Sequence, residues 1–222
     1  MSKILILIDG FNFYHRLNDY VKAKGENVKW LNYKALMECY FNDLDKNIFE
    51  YVYFSAKAIH RGEACVKRHD VYIKALESQG INIVLGKFKE KKINRCSCGE
   101  KCVGCNHKVD RTKLSKHEEK NTDVNIAITL IEKAMSKAYD SCYILSSDSD
   151  FDSAIERAKE LYPEGRIVLV PPPLVNKSKR KNPYYIKNTK NLTKSNPLFV
   201  SWENIKKSQF PDRFNDLENP WL

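Results

Sequence analysis

Two hydrophobic segments of this 222-residue chain end abruptly in carboxylates. Segment 143–145 is followed after two serines by Asp148 and Asp150, and segment 4–8 is followed directly by Asp9. Both segments have the character of buried strands, and ligands of open α/β sheets bind beyond the carboxyl ends of the strands. Mg²⁺ and Mn²⁺ prefer carboxylate and water oxygens, and they can activate water and neutralise a phosphoryl transition state. If the two strands are neighbours, the three acids therefore form a divalent-metal site suited to phosphate chemistry.

Two further residues belong with these acids by position. Asn12 follows Asp9 by three residues, and Asp123 lies in the first turn of a predicted apolar helix. Each acid also has a purely structural interpretation. Asp9 can start a turn, Asp123 can complement the helix dipole, and Asp148 and Asp150 can cap the helix that follows them. The functional interpretation is favoured because all of the acids fall at predicted carboxyl edges or at a helix start.

The predicted elements alternate between strands and helices along the chain. Strands are predicted at 4–8, 48–54, 81–85, 142–145 and 166–170, with a short edge strand at 198–200. Helices are predicted at 11–22, 31–41 (capped by Asn32), 64–78, 121–138, 152–161 and 202–208. Such alternation gives an α/β fold with a mainly parallel sheet and helices on both faces. We expect one domain over residues 1–222, with a polar insertion at 87–118 and a basic loop at 171–196.

The insertion contains a cluster of soft metal ligands. Four cysteines fall within ten residues, and a histidine follows them: Cys96, Cys98, Cys102, Cys105 and His107. A structural zinc ion takes four Cys or His ligands, and it can stabilise a segment too polar to fold around a hydrophobic core. We therefore expect structural Zn²⁺ on the four cysteines, with His107 in place of one of them as the alternative. The other interpretation is a redox-active or free set of thiols.

Positive charge is concentrated in two segments. The formal net charge is +10, but segment 87–120 contributes +6 and segment 171–194 contributes +7, which leaves −3 for the remaining residues. A near-neutral body with two basic segments is typical of a protein that binds a polyanion. The alternative is a pair of solvated or disordered basic loops.

RNA is the polyanion that the basic loop suits best. Basic side chains neutralise phosphates, and tyrosines stack on unpaired bases. The expected RNA-binding residues of the loop are Lys177, Lys179, Arg180, Lys181, Tyr184, Tyr185 and Lys187. Arg61, Lys67 and Arg68 would extend this surface along the sheet edge.

Cysteine usage and hydropathy bear on the location of the protein. The seven cysteines are clustered rather than dispersed as in a disulfide framework, and Cys39, Cys65 and Cys142 are expected to be buried thiols. No apolar segment approaches the roughly 20 residues that span a membrane, and the amino terminus leads directly into a strand rather than a signal peptide. The sequence therefore predicts a cytoplasmic protein that does not associate with membranes, and it leaves a homodimer open.

Three segments together resemble the signature segments of NYN-domain proteins, which belong to the PIN-like nuclease superfamily. They are segment 8–12 around Asp9, segment 118–127 around Asp123, and segment 145–151 with Asp148 and Asp150. The order and the approximate spacing match as well. The tail at 202–212 resembles the closing segment common in the bacterial branch, so the resemblance covers essentially the whole chain outside the basic loops.

The resemblance implies a three-layer PIN-like α/β/α fold and metal-dependent cleavage of RNA. Carried over by position, Asp9, Asp123, Asp148 and Asp150 form the acidic metal site, and Asn12 supports them. Ser147 departs from the family pattern, because a glycine commonly precedes the first aspartate of the late segment. Serine can hold a turn there but lacks the freedom of glycine at positive φ.

These observations predict a metal-dependent ribonuclease in which one or two Mg²⁺ or Mn²⁺ ions activate the water that attacks a phosphodiester. Two alternatives stay open: a non-catalytic RNA-binding adaptor on the same fold, and a metal-dependent phosphatase of small molecules. Dehalogenase-type phosphatases need a second aspartate two residues after the first, where this chain has Phe11. The sequence also lacks the glycine-rich motifs of dinucleotide-binding and P-loop proteins.

Overall fold

The computed structural model describes residues 1–41, 44–94, 113–175 and 198–222. The strands are β1 (Ser2–Asp9), β2 (Asn47–Ala56), β3 (Asn82–Asn94), β4 (Lys113–Lys120), β5 (Ser141–Leu145), β6 (Arg166–Leu169), β7 (Arg213–Phe214) and β8 (Leu217–Glu218). The helices are α1 (Gly10–Lys24), α2 (Tyr33–Glu38), α3 (Glu63–Ser78), α4 (Thr122–Met135), α5 (Asp152–Leu161) and α6 (Trp202–Lys207). Two 3-10 turns lie at Leu44–Lys46 and Ile59–Arg61.

Six strands form one sheet in the order β4-β3-β2-β1-β5-β6. The pairs are parallel except for β3 with β4, which confirms the expected mainly parallel sheet. From β1 the chain continues outward to β2 and β3, whereas β5 returns to the other side of β1. The strand order therefore reverses between β1 and β5, and such a reversal is where open α/β sheets bind their ligands.

The central strand buries both of its faces. Ile4, Ile6 and Ile8 of β1 belong to one core cluster, together with apolar side chains of α1, α2 and α3. Leu5 and Leu7 belong to a second cluster with α4 and α5. A strand covered on both faces has a continuous run of apolar residues, so the sequence shows no alternation of apolar and polar residues here. The helices thus form two layers around the sheet, as expected for a PIN-like α/β/α fold.

Local capping sets the starts of the first two helices. The carboxylate of Asp9 accepts a hydrogen bond from the backbone N–H of Asn12, so the last residue of β1 is also the cap of α1. The side chain of Asn32 accepts from the backbone N–H groups of Lys34 and Ala35, which confirms the predicted cap. The helix after it is shorter than the predicted 31–41.

The flanks of the predicted polar insertion are strands. β3 extends to Asn94, and β4 pairs with it in antiparallel register from Lys87↔Lys120 to Asn94↔Lys113. Strands of an antiparallel edge pair can face solvent and carry many charged residues. The sequence therefore showed no apolar alternation that would predict strands here. The cysteine-rich segment between β3 and β4 lies outside the described residues.

The predicted edge strand at 198–200 is wrong. The structure assigns no strand there. Val200 is buried in the first core cluster, and Leu198 packs against it. The backbone N–H of Ser201 donates to the Tyr40 hydroxyl at 3.0 Å instead of joining a sheet. Apolar side chains in this short segment therefore mark a packed connection into α6.

The expected burial of three cysteines is confirmed for one of them. Cys142 is buried, but Cys65 is only half-buried and Cys39 is exposed, so the expectation of three buried thiols is wrong for two of them. Cys39 is exposed because it ends α2 at the surface, where its thiol donates to the carbonyl of Ala35 at 3.3 Å.

Throughout the described ranges, none of the helices has both the length and the apolar character to cross a bilayer.

Gly86 permits the close approach of β3 to the start of α4. A Cβ atom at this position would lie 2.6 Å from the backbone oxygen of Lys120 and 2.9 Å from the hydroxyl of Thr122. We expect Gly86→Ala to lower the free energy of unfolding by about 1–3 kcal/mol, because the backbone atom cannot move away without shifting the strand. Urea unfolding measures the change. The neighbouring Lys87→Ala, at an exposed position, should change it by less than about 0.5 kcal/mol, and an unaltered Gly86→Ala protein would contradict this packing.

Candidate functional site

Asp9 is the centre of the site at the reversal of strand order. It ends β1, and its side chain is only 3% exposed. One carboxylate oxygen, Oδ1, accepts the backbone N–H of Asn12 at 2.9 Å, and the other, Oδ2, accepts the hydroxyl of Ser146 at 2.8 Å. Ser146 follows β5 directly, so the two hydrogen bonds connect the ends of β1 and β5 and the start of α1.

The loop after β5 is held against α1 by Asn12. The side-chain oxygen of Asn12 accepts the backbone N–H of Ser147 at 3.2 Å and its hydroxyl at 3.0 Å. Ser147 is not among the residues with positive φ, so the glycine common in the family is not required by the backbone here. The serine hydroxyl supplies a hydrogen bond that glycine lacks. Asn12 therefore fixes the loop that presents Asp148.

The loop also orders its own acids. The backbone N–H of Asp148 donates to the Ser146 hydroxyl at 3.1 Å, and the backbone N–H of Asp150 donates to the Asp148 carboxylate at 3.0 Å. Ser146 therefore contacts both Asp9 and Asp148, and it couples the two predicted carboxylates. Asp150 is exposed and does not line the cavity described next.

Five carboxylates line one open cavity of about 230 Å³. They are Asp9, Asp19, Glu119, Asp123 and Asp148. We call this the acidic cavity. Asn12, Phe11, His15 and Arg16 complete its lining. The cavity thus brings together Asp9, Asn12, Asp123 and Asp148 of the predicted site, whereas Asp150 is not part of the lining.

The sequence interpretation missed Glu119. It lies near the end of β4, and its carboxylate accepts hydrogen bonds from the backbone N–H and the hydroxyl of Thr122, which begins α4. Between them, Asn121 turns the chain with φ of 80°, a conformation that asparagine tolerates better than most residues. The available signal was the spacing of four residues between Glu119 and Asp123. The charged sequence of β4 gives no apolar alternation, so the sequence did not indicate the strand that places Glu119 near Asp123.

Burial and mutual repulsion raise the pKa values of Asp9 and Asp123. Burial raises the pKa of Asp9 to about 6, the hydrogen bonds from Asn12 and Ser146 lower it, and the charges of Asp123 and Asp148 raise it further. Burial also raises the pKa of Asp123 to about 6, with additional repulsion from Asp148, Glu119 and Asp150. The folded protein therefore concentrates negative charge at a cost in free energy that a bound cation would relieve.

The donors of the acidic cavity suit a hard cation that keeps much of its water. Across the residues that the structure describes, no three carboxylate, imidazole or thiolate groups are arranged to hold a metal ion directly between them. Mg²⁺ is commonly bound by one or two carboxylates with several waters retained. Oxygen donors on Asp9, Asp123 and Asp148 fit that mode, and direct coordination by three side chains would require them to move closer together.

Two groups of predicted site residues lie outside the described residues. One is the zinc set of Cys96, Cys98, Cys102, Cys105 and His107, and the other is the basic-loop set of Lys177, Lys179, Arg180, Lys181, Tyr184, Tyr185 and Lys187. Of the predicted extension, Arg61 and Arg68 line a second cavity beside the acidic one. Lys67 instead forms a salt bridge with Glu63 on the surface of α3.

Comparison with known proteins identifies the family. The family model of the NYN domain matches residues 3–189, a span that contains all of the residues of the acidic cavity. A crystal structure of a protein of unknown function from Vibrio parahaemolyticus has a similar fold, with a TM-score of 0.52 and 16% sequence identity, over 91% of this chain and 94% of that chain. At this identity the likeness supports the fold alone. No curated protein matches the sequence.

Replacing Asp123 with asparagine removes a charge that the site disfavours. Because the pKa of Asp123 is about 6 in the folded protein and 3.8 without perturbation, the carboxylate costs no stability below pH 3.8, an increasing amount up to pH 6, and a constant amount above it. At pH 7.5 without metal we expect the variant to be more stable by about 1 kcal/mol, a value discounted for partial exposure. This corresponds to a rise in Tm of about 2–4 °C.

Thermal unfolding between pH 4 and 8 in the presence of EDTA tests this expectation. The gain in Tm should grow from pH 4 to pH 6 and then stay level. Asp216→Asn removes a charge at an exposed position and should leave the Tm close to that of the unmodified protein at every pH. A loss of stability in Asp123→Asn at pH 7.5 would contradict the electrostatic cost assigned to this site.

Proposed function

The chain belongs to the NYN-domain family of the PIN-like nuclease superfamily, and on that premise we propose that it is a metal-dependent ribonuclease. The observation that supports this function best is the convergence of Asp9, Asp123 and Asp148 on one cavity at the reversal of strand order. These acids come from β1, α4 and the loop after β5. No requirement of the core explains three carboxylates at this point, because each one raises the cost of the others.

Each residue of the acidic cavity has a proposed role. Asp9, Asp123 and Asp148 would hold one or two Mg²⁺ or Mn²⁺ ions, with Glu119 as a further oxygen donor. When bound, the cation would supply an activated water and neutralise charge on the phosphodiester. Asn12 and Ser146 act as positioning residues, because their hydrogen bonds fix Asp9 and the loop that presents Asp148. Asp150 would contribute negative charge to the site without lining it.

The distribution of charge favours RNA over a small phosphorylated molecule. The acidic cavity is open, as an extended chain requires, and the segments 87–120 and 171–194 carry net charges of +6 and +7. Neutralisation of several phosphates by such segments is the main source of affinity for nucleic acids. The basic loop at 171–196 is therefore the proposed clamp on the RNA backbone.

A non-catalytic RNA-binding adaptor is the second candidate. One observation favours it: among the described residues, no three metal-binding side chains meet around a single point. An adaptor would bind RNA equally well with Mn²⁺ and with a chelator, and it would cut in neither condition. The two candidates thus differ in one directly measurable property.

We further propose that Cys96, Cys98, Cys102 and Cys105 bind structural Zn²⁺, with His107 as the alternative to one of them. The antiparallel pairing of β3 and β4 supports this proposal, because it continues to Asn94↔Lys113. The ends of β3 and β4 that flank the cysteine segment therefore lie side by side, which suits a compact metal-bound turn between them. Clustered thiols free for metal binding also favour a cytoplasmic location.

Elemental analysis tests the zinc proposal. The purified protein should contain one Zn²⁺ per chain, and Cys102→Ser should lose most of it, because a closed zinc site needs all four ligands. Cys39→Ser alters an exposed cysteine away from the cluster and should keep the zinc. Zinc-free protein with full stability and unaltered activity would contradict the proposal.

Asp148→Asn is the decisive variant for the ribonuclease. We expect it to reduce cleavage of labelled RNA in Mn²⁺ by at least about 100-fold, since even residues that only orient metal ligands affect activity by 10–100-fold. Its affinity for RNA in EDTA should stay within about twofold of the unmodified protein, because phosphate contacts dominate binding. Asp216→Asn is the matched control and should cleave normally.

The remaining outcomes separate the alternatives. Full activity of Asp148→Asn would remove this residue from the site. RNA binding without cleavage by the unmodified protein, in any of several divalent metals, would favour the adaptor. Neutralising the lysines of the basic loop should impair RNA cleavage strongly, whereas a small-molecule phosphatase would retain its activity on a soluble phosphate ester.

A further inference from the structure

A second cavity, whose lining includes seven Phe, Tyr or Trp side chains, adjoins the acidic cavity. It has a volume of about 90 Å³ and is formed by residues of α1, β2, α3, β3 and the carboxyl-terminal tail. Phe11 and His15 line both cavities, so the two are neighbours along α1. We call this second space the aromatic cavity. A ligand in it would lie beside any group held at Asp9.

Aromatic rings that pack against their neighbours form much of the wall of the aromatic cavity. Phe11 contacts Phe88 with ring centroids 5.6 Å apart, and Tyr14 stands one position from His15 on the same helix. Tyr53 and Tyr72 form the floor and are buried in the core. The Tyr72 hydroxyl donates to the backbone oxygen of Leu31 at 2.7 Å, which fixes its ring. The cavity is therefore preformed for a flat apolar group.

The same cavity is bordered by positive charge. Lys29, Arg61 and Arg68 line it, and none of the three has a salt-bridge partner among the described residues. The Lys29 ammonium lies 5.4 Å from the centre of the Tyr14 ring. Burial lowers the pKa of Lys29, and the charges of Arg68 and Lys22 lower it further, so Lys29 lies in a positive environment. Lys57 differs from these three cations, because it forms a salt bridge with Asp70.

We propose that the aromatic cavity binds the base of an RNA nucleotide next to the phosphodiester in the acidic cavity, and that Lys29, Arg61 and Arg68 bind the phosphate of that nucleotide. The inference rests on the proposed function and specifies the substrate subsite. A flat ring attached to an anion matches both features, since aromatic side chains stack on bases and cations neutralise phosphates. An apolar ligand without charge would leave the three cations unpaired.

The cavity also contains polar groups that can pair with the edge of a base. The hydroxyl of Ser55 lies 3.3 Å from Nε2 of His69 inside the cavity, and both groups can donate or accept a hydrogen bond. The subsite therefore offers one base both stacking surfaces and hydrogen-bonding groups.

Binding measurements in the absence of cleavage test the subsite. Fluorescent oligouridylate and an abasic oligoribonucleotide of equal length are titrated with the Asp148→Asn protein in EDTA. Oligouridylate should bind more tightly. Adding Ala58→Trp, which fills the cavity from its wall, should weaken oligouridylate binding about tenfold and remove the preference, because stacking on one base contributes about that factor. Ile59→Trp adds the same ring at an exposed neighbouring position and should alter neither value.

The proposed phosphate contacts of the cations are tested by the salt dependence of RNA affinity. Arg68→Ala should reduce the slope of log affinity against log salt by about one, as expected for the loss of one phosphate contact. Lys159→Ala removes an exposed cation of α5, which packs on the opposite face of the sheet from the aromatic cavity, so its slope should match that of the parent protein. Equal slopes for the two variants would overturn the phosphate assignment.

The outcomes distinguish this inference from the proposed function. If the unmodified protein cleaves RNA but Ala58→Trp leaves affinity and the preference for oligouridylate unchanged, the subsite is wrong and the ribonuclease stands. If no metal supports cleavage but Ala58→Trp abolishes the preference, the subsite stands and the catalytic proposal fails. Circular dichroism checks folding, and Tyr14→Ala provides the same readout if Ala58→Trp is misfolded. Equal affinity of the parent protein for both oligonucleotides would overturn the subsite.

Discussion

The hydrogen bond between Ser146 and Asp9 is the interaction on which the site depends. It joins the ends of β1 and β5 at 2.8 Å, and the same serine hydroxyl accepts the backbone N–H of Asp148. Asp9 also caps α1, so one buried carboxylate sets the positions of two strands, one helix and one loop. Because its side chain has no freedom to turn away, the neighbouring acids must share a small space with it.

That arrangement explains the electrostatic character of this end of the molecule. Burial and repulsion raise the pKa values of Asp9 and Asp123 to about 6, so the acids are ionised at neutral pH but at a cost. A divalent cation would remove the cost, and unpaired cations lie in the adjoining aromatic cavity. Negative and positive regions thus lie side by side along α1. An RNA phosphodiester beside a cation in the acidic cavity, with the neighbouring phosphate on the cations of the aromatic cavity, would match both regions.

The sequence predicted the parts of the site that depend on strong local patterns. Apolar runs ending in Asp9 and before Asp148 identified two buried strands, and the parallel sheet then required their ends to meet. The sequence did not predict β4 or Glu119, because charged side chains on a solvated edge strand give no apolar alternation. It placed a strand at 198–200, where apolar residues only pack against the core. The aromatic cavity was not foreseen because its lining runs from Gly10 to Trp221.

A crystal structure of the protein grown with Mn²⁺ tests the central claim most directly, because anomalous scattering locates the ion without reference to activity. The account predicts a peak in the acidic cavity, between the carboxylates of Asp9 and Asp148 and within reach of Asp123. A well-ordered structure in millimolar Mn²⁺ that shows these carboxylates without an anomalous peak, or with the ion bound only elsewhere, would contradict it.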